Sequence, residues 1–141
     1  MCRGDHMDIN FLAVALAALS AFFLGYLWYK VIFAESWKQL IGIKIKTKGI
    51  ESTSETPSLK RLLIGSLILE IIMAFVLAIF ISIDATWLTG LGTGFVVGLG
   101  FVGLAFGVNY MYEGKSFKLW VINAGYNTVL FSLMGLIIGA F

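Results

Sequence analysis

Three residue types that carry much protein chemistry are almost missing from this 141-residue chain, which has one cysteine, one histidine and one proline. A lone Cys2 allows no intrachain disulfide and no thiolate metal cluster. His6 precedes Met7, the pair that a cloning site leaves ahead of a natural start, so residues 1–6 are read as a cloning remnant and set aside. The remaining 7–141 then lacks histidine, the side chain most used for acid–base catalysis and metal binding. Charge is scarce too, at 13% of residues against about 25% in soluble domains. No nucleophile–base set, metal-ligand cluster or phosphate loop is visible. The Gly90-Leu91-Gly92-Thr93-Gly94 run follows no strand and is followed by no lysine. The chain is therefore expected to be no enzyme, to hold no cofactor or metal, and to bind no nucleic acid.

What fills the sequence instead is apolar. Hydrophobic residues make up 60% of it and the mean hydropathy is +0.95. A soluble domain of this size leaves roughly 30% of its unfolded surface in water, and this chain has too little polar surface to cover that. The bilayer is the solvent that resolves the conflict. Four apolar segments meet the requirement of about 20 residues per span: 9–33, 62–83, 88–110 and 119–141. At membrane depth only a helix satisfies its own backbone without an edge. The expected fold is therefore all-α, a four-helix transmembrane bundle forming one domain over 7–141. The first segment ends in Tyr26, Trp28, Tyr29 and Lys30, an interfacial anchor, and so reads as a retained span.

Basic residues set an orientation. Lys30, Lys38, Lys44, Lys46, Lys48, Lys60, Arg61, Lys115 and Lys118 fall on one side of the four spans, and only Arg3 falls on the other. The positive-inside rule makes the long first loop and the third–fourth connection cytoplasmic, with both termini outside. The bias counts against dual insertion as an antiparallel pair. A bacterial inner membrane is the expected location. Within the first loop, Trp37–Lys44 mixes aromatic, apolar and basic residues suited to the membrane surface, and 51–57 is a Ser/Thr/Glu-rich connector ending in Pro57.

Glu70 is the costly residue. It lies about ten residues beyond Lys60, roughly 15 Å along a helix at 1.5 Å per residue and hence near mid-membrane. An ionised carboxylate there costs on the order of 2.5–3.5 kcal/mol, so it should face the interior, be paired or be protonated. Asn127 lies at matching depth on the fourth span. One turn nearer the loop side stand Ser66 and Asn123, so Ser66/Glu70 and Asn123/Asn127 are two i,i+4 pairs. If the faces meet, Glu70 is expected to bond Asn127, and Ser66 to meet Asn123. Ser20 is also near mid-depth. The cluster reads either as a proton- or cation-handling site or as hydrogen-bonded glue between helices.

Small residues recur where helices should touch. The first span repeats Ala13, Ala17, Ala21 and Gly25. The third carries Gly90, Gly94 and Gly98 on one face, with Gly92, Gly100, Gly103 and Gly107 broadly on another, and the fourth carries Gly135 and Gly139. Small-xxx-small spacing lets backbones approach. Two glycine faces predict a third helix covered on both sides, either within the bundle or across a subunit interface, so a homo-oligomer is expected. Gly114 suits a helix stop, Tyr110, Tyr112 and Trp120 suit an interfacial belt, and Glu113 is a candidate partner for Lys115 or Lys118.

The segment Asn109-Tyr110-Met111-Tyr112-Glu113-Gly114-Lys115-Ser116-Phe117-Lys118-Leu119-Trp120-Val121-Ile122-Asn123-Ala124-Gly125-Tyr126 resembles the signature of DUF1761, a family of small bacterial and fungal membrane proteins. Leu24-Gly25-Tyr26-Leu27-Trp28-Tyr29, with Phe33 and Trp37, resembles that family's opening segment. The resemblance implies that Trp28, Tyr29, Trp37, Asn109, Tyr110, Glu113, Lys118, Asn123 and Tyr126 belong to its recurrent pattern; Glu70 falls outside it. This chain departs from the pattern in having Lys30-Val31-Ile32 where the family often has a proline, and Asn127 where it often has a histidine. The family has no assigned function, so the resemblance brings no reaction or ligand. Two readings stay open. One is a channel or transporter for a small solute, proton or cation, using the polar mid-membrane cluster. The other is a structural or partner-binding membrane protein.

Overall fold

The computed structural model describes residues 9–40, 59–81 and 84–141. Residues 1–6, expected to be a cloning remnant, the expected connector at 51–57 and the part of the expected surface segment beyond Leu40 lie outside the described residues. Among the described residues all regular structure is helical, and four helices are long and apolar enough to cross a membrane: Phe11–Ile32, Lys60–Phe80, Trp87–Glu113 and Phe117–Ala140.

The first span is α1 (Phe11–Leu27) running directly into a π-helical turn, π1 (Trp28–Ile32). Asn10 starts it, its Oδ1 accepting from the Leu12 and Ala13 amides at 3.1 and 3.2 Å, which satisfies two of the orphan donors of a helix start. A short α2 (Ala34–Leu40) follows, with Glu35 and Lys38 paired at 4.0 Å. The second span is α3 (Leu59–Phe80). The third is built in three pieces: α4 (Trp87–Phe95), a longer π segment π2 (Val96–Gly103) and α5 (Leu104–Glu113). Thr86 and Thr89 form a reciprocal capping box at its start, and Gly114, in the left-handed region at φ 63°, ends it. Only glycine takes that conformation at little cost. The fourth span, α6 (Phe117–Ala140), is capped by Ser116, whose hydroxyl accepts from the Leu119 amide.

α6 is the hub. Buried residues fill 39% of its most apolar window, against 28%, 22% and 17% for the first, second and third spans. The third span lies along one side of it and α1 along another, with α3 packed mainly on α1. Size explains the arrangement. Ala13, Ala17, Ala18 and Ala21 of α1 are essentially without exposure, as is Ala74 of α3, and the space these short side chains leave is filled by Leu77, Leu130, Phe131 and Met134. Large apolar residues such as Phe23, Ile68, Phe101 and Val108 point outward, as lipid-facing positions should.

Glycine sets the contact between the third span and α6. A Cβ on Gly90 would strike the Gly135 carbonyl, one on Gly94 the Phe131 carbonyl, and one on Gly98 would come within 2.7 Å of the Asn127 carbonyl. Gly135 and Gly139 reciprocate against Gly90 and Thr86. The expected second glycine face does not form as such. Gly103 and Gly107 also meet α6, at Ala124 and Trp120, while Gly92 and Gly100 have nothing within 4 Å. The π2 segment is the reason. At about 100° per residue, an α-helix carries a residue five positions on roughly 140° away from its start. Bonding of the Leu104 amide back to the Leu99 carbonyl, five residues earlier, absorbs one residue, and the stripe Gly90–Gly94–Gly98–Gly103–Gly107 stays on one side.

Candidate functional site

The polar centre of the molecule sits where π1, α5 and the first half of α6 converge. α6 brings Asn123, 8% exposed, to the middle of the junction. Tyr29 of π1 donates its hydroxyl to Asn123 Oδ1 at 2.8 Å, and Asn123 Nδ2 donates to the Tyr110 hydroxyl of α5 at 2.7 Å. One amide thereby ties the first, third and fourth spans together. The neighbouring indoles do similar work. Trp28 Nε1 donates to the Ile122 carbonyl at 3.2 Å, and Trp120 Nε1 to the Gly103 carbonyl at 2.8 Å. The Trp120 ring lies where Gly107 has no side chain, and Trp28 lies over Gly125.

π1 is what allows this convergence. The Phe33 amide bonds the Trp28 carbonyl at 2.9 Å, a five-residue step, and the α pattern resumes with Trp37 on Phe33. The wider turn lets Trp28, Tyr29, Phe33 and Trp37 gather. Their ring centroids are 5.0 Å apart for Trp28–Phe33 and 5.2 Å for Tyr29–Trp37, and Tyr126 of α6 lies 4.9 Å from Tyr29. The Tyr126 hydroxyl occupies the space over Gly25, where a Cβ would come within 2.9 Å of it.

Glu70 is not hydrogen-bonded to the amide centre; it lies on the buried side of α3 with Ala74 and Leu77, one and two turns further on. It is 5% exposed, and its Oε2 is buried without a hydrogen-bond partner. Its carboxylate is within electrostatic reach of the Tyr126 phenol. The hydrogen bonds expected from the i,i+4 pairs are not those observed. Asn127 Nδ2 donates to the Asn123 carbonyl of its own helix at 2.8 Å, Ser66 donates to the Leu63 carbonyl, and Ser20 to the Leu16 carbonyl. Each short polar side chain bonds the preceding turn of its own helix, and none of these bonds goes to Glu70. Among the described residues no group of three His, Cys, Asp or Glu could hold a metal ion.

The family-pattern residues divide. Trp28, Tyr29, Trp37, Tyr110, Asn123 and Tyr126 come together in the aromatic–amide cluster, whereas Asn109, Glu113 and Lys118 are exposed beyond it. Among the described residues, no ion pair joins Glu113 to Lys115 or Lys118. Residue-by-residue reading missed the roles of Trp120, Gly25 and the two π segments. The one available signal was the five-residue gap from Gly98 to Gly103 in an otherwise four-residue stripe.

No curated protein and no solved structure matches this chain. The DUF1761 family model matches residues 12–139, a stretch that includes Glu70 and every member of the aromatic–amide cluster. The chain belongs to DUF1761, described as a protein of unknown function, and is an integral membrane member with four spanning helices.

Proposed function

We propose that this is a proton-handling membrane protein in which Glu70 takes up and releases the proton. The observation that carries the reading is the buried carboxylate itself, inside a membrane span with one oxygen unsatisfied. A carboxyl group that served only as glue between helices would be expected to spend both oxygens on partners, because an unmet buried acceptor costs about 1–3 kcal/mol. An acid retained at that cost marks a functional position by default.

The surroundings favour a proton over a metal cation. A hard cation needs about six oxygen ligands, and the hydroxyls and amides at this depth are turned to their own backbones or to Tyr29 and Tyr110. A second copy is not required for this reading. The glycines that would have supported an oligomer through the third helix are spent against α6, apart from Gly92 and Gly100. The alternative, a non-transporting structural or partner-binding protein, draws its support from Asn123, whose two side-chain hydrogen bonds link three spans.

The test is reconstitution of the full chain in liposomes with an internal pH dye, with sodium and potassium uptake followed in parallel. The parent should dissipate an imposed pH gradient faster than empty liposomes, and a folded Glu70→Gln variant should fall to the empty-liposome rate. Parent flux equal to empty liposomes overturns the proposal. Metal-ion uptake that depends on Glu70 and proceeds without proton movement does so as well.

A further inference from the structure

We infer that Glu70 takes its proton from one side of the membrane, the side on which the third span turns into the fourth at residues 114–116. The inference rests on the reading of Glu70 as a proton site and adds the direction from which that site is reached. What carries it is the way burial divides the spans on either side of the carboxyl group. Glu70 is the first buried residue among the described residues of α3. None of 60–69 is buried, whereas Ala74 and Leu77 beyond Glu70 are, as is Ile81 just past the helix end. α1 runs in from the far side, and its buried residues stop at Ala21, with none in 22–32. α6 has a break around Tyr126, where nothing between Ala124 and Leu130 is buried.

The two halves differ in chemistry as well as in packing. In the far half Ala21, Ala74, Leu77, Leu130 and Met134 close the interior at 0–2% exposure. The hydroxyls of Ser20, Thr128 and Ser132 each donate to a carbonyl of their own helix. Proton relays in membranes run through ionisable side chains, and residues 11–25, 71–80, 87–109 and 127–140 include no titratable side chain. From Glu70 to Leu77 the dry seam is seven residues long, about 10 Å at 1.5 Å per residue. An unaccompanied charge crosses such a stretch only at high cost. On the near side Glu70 meets hydroxyls. The Tyr126 phenol is within electrostatic reach of its carboxylate. The Tyr126 ring lies 4.9 Å from Tyr29, whose hydroxyl bonds Asn123, which in turn bonds Tyr110. The titratable groups on this side are therefore Tyr126 of α6 and, beyond it, Tyr29 and Tyr110. α1 adds only Tyr26, which is 57% exposed, and α3 adds none between Arg61 and Glu70. Loosely packed polar groups admit water as far as Glu70, and the apolar core stops it there.

The experiment reads water access in the full chain carrying Cys2→Ser, so that one introduced thiol reports at a time. Right-side-out and inverted membrane vesicles are treated with a membrane-impermeant, negatively charged methanethiosulfonate, which reacts with a hydrated thiolate. Lys115→Cys and Asp84→Cys identify the two faces. Ser66→Cys, one turn before Glu70, should react in the preparation that labels Lys115→Cys, and several-fold more slowly in the other. Ala74→Cys, one turn beyond Glu70, should react in neither. Leu77→Cys, which removes bulk instead of adding it, takes its place if elution volume and helical content show that Ala74→Cys does not fold. A Ser66→Cys thiol reached equally from both faces, mainly from the Asp84 face or from neither overturns the inference. So does an Ala74→Cys or Leu77→Cys thiol that reacts as fast as that of Ser66→Cys. These outcomes are read without proton flux, so they fail independently of the proton reading. Parent flux equal to empty liposomes would remove that reading, and this inference with it, whatever the thiols show.

Discussion

At the scale of single residues, the molecule separates two tasks that residue depth along the spans places in one cluster. Asn123 is the structural amide. Its two side-chain hydrogen bonds to Tyr29 and Tyr110 join three spans, and bonds of this kind within membranes contribute about 0.6–2 kcal/mol each. Asn123→Ala should therefore destabilise the protein by about 1–4 kcal/mol, read as a lower midpoint of thermal unfolding in detergent. Tyr29→Phe, which removes one of the two bonds, should cost less than half as much as the alanine variant. Equal losses in the two variants would show that Tyr110 contributes nothing. Glu70 is the residue with a cost and no visible structural return. Glu70→Gln should leave thermal stability unchanged or raise it, because a neutral amide replaces an ionisable group in a site without a counter-charge. A marked fall in stability on that substitution would return Glu70 to the role of helix glue.

At the scale of elements, the two π segments decide which side chains meet. Gly94→Ala is expected to be severe, since its Cβ would collide with the Phe131 backbone, which has no room to move. Gly92→Ala and Gly100→Ala enter open space, and should be neutral or stabilise by up to about 1 kcal/mol through better helix propensity. Similar unfolding midpoints for all three variants would contradict the arrangement of the third span. Deletion of Leu99 should convert π2 towards α-geometry and leave Gly103 and Gly107 on α6, because it shortens the step from Gly98 to Gly103 to the four residues of the rest of the stripe. The Trp120 indole should then keep its bond to Gly103, visible as unchanged tryptophan emission. The four spans and the small-residue stripes were legible in the sequence because hydropathy and four-residue spacing are direct imprints of the bilayer and of close backbone approach; which helix the third span's glycines meet was not. The single-sided stripe was not, because a π turn changes the period by one residue and leaves only the Gly98–Gly103 gap as its trace. The Ser66/Glu70 and Asn123/Asn127 pairs were assigned to a shared contact on depth alone. Depth does not report that serine and asparagine can bond the preceding turn of their own helix.

At the scale of the whole molecule, the bundle is organised around α6 rather than around a central passage between four equal helices. Asn10 Nδ2 donates to the Phe141 carbonyl at 3.3 Å, fastening the start of α1 to the end of the hub. A chain ending before Phe117 should therefore insert its first three spans and keep α1 against α3 but leave the third span unassociated, because the third span packs on α6 whereas α3 packs mainly on α1. Protease accessibility in membranes and elution in detergent would show this as inserted yet loosened helices. A truncated chain as compact and protected as the parent would contradict the hub. Of the functional account, the central claim is that Glu70 exchanges a proton with water from within a span. Infrared difference spectroscopy of the parent and Glu70→Gln in hydrated bilayers tests it most directly. The account predicts a carboxyl band, absent from the variant, that converts between acid and carboxylate as bulk pH is stepped. A Glu70 band that stays fixed across the range, unmoved by pH and by deuterium exchange, would contradict it.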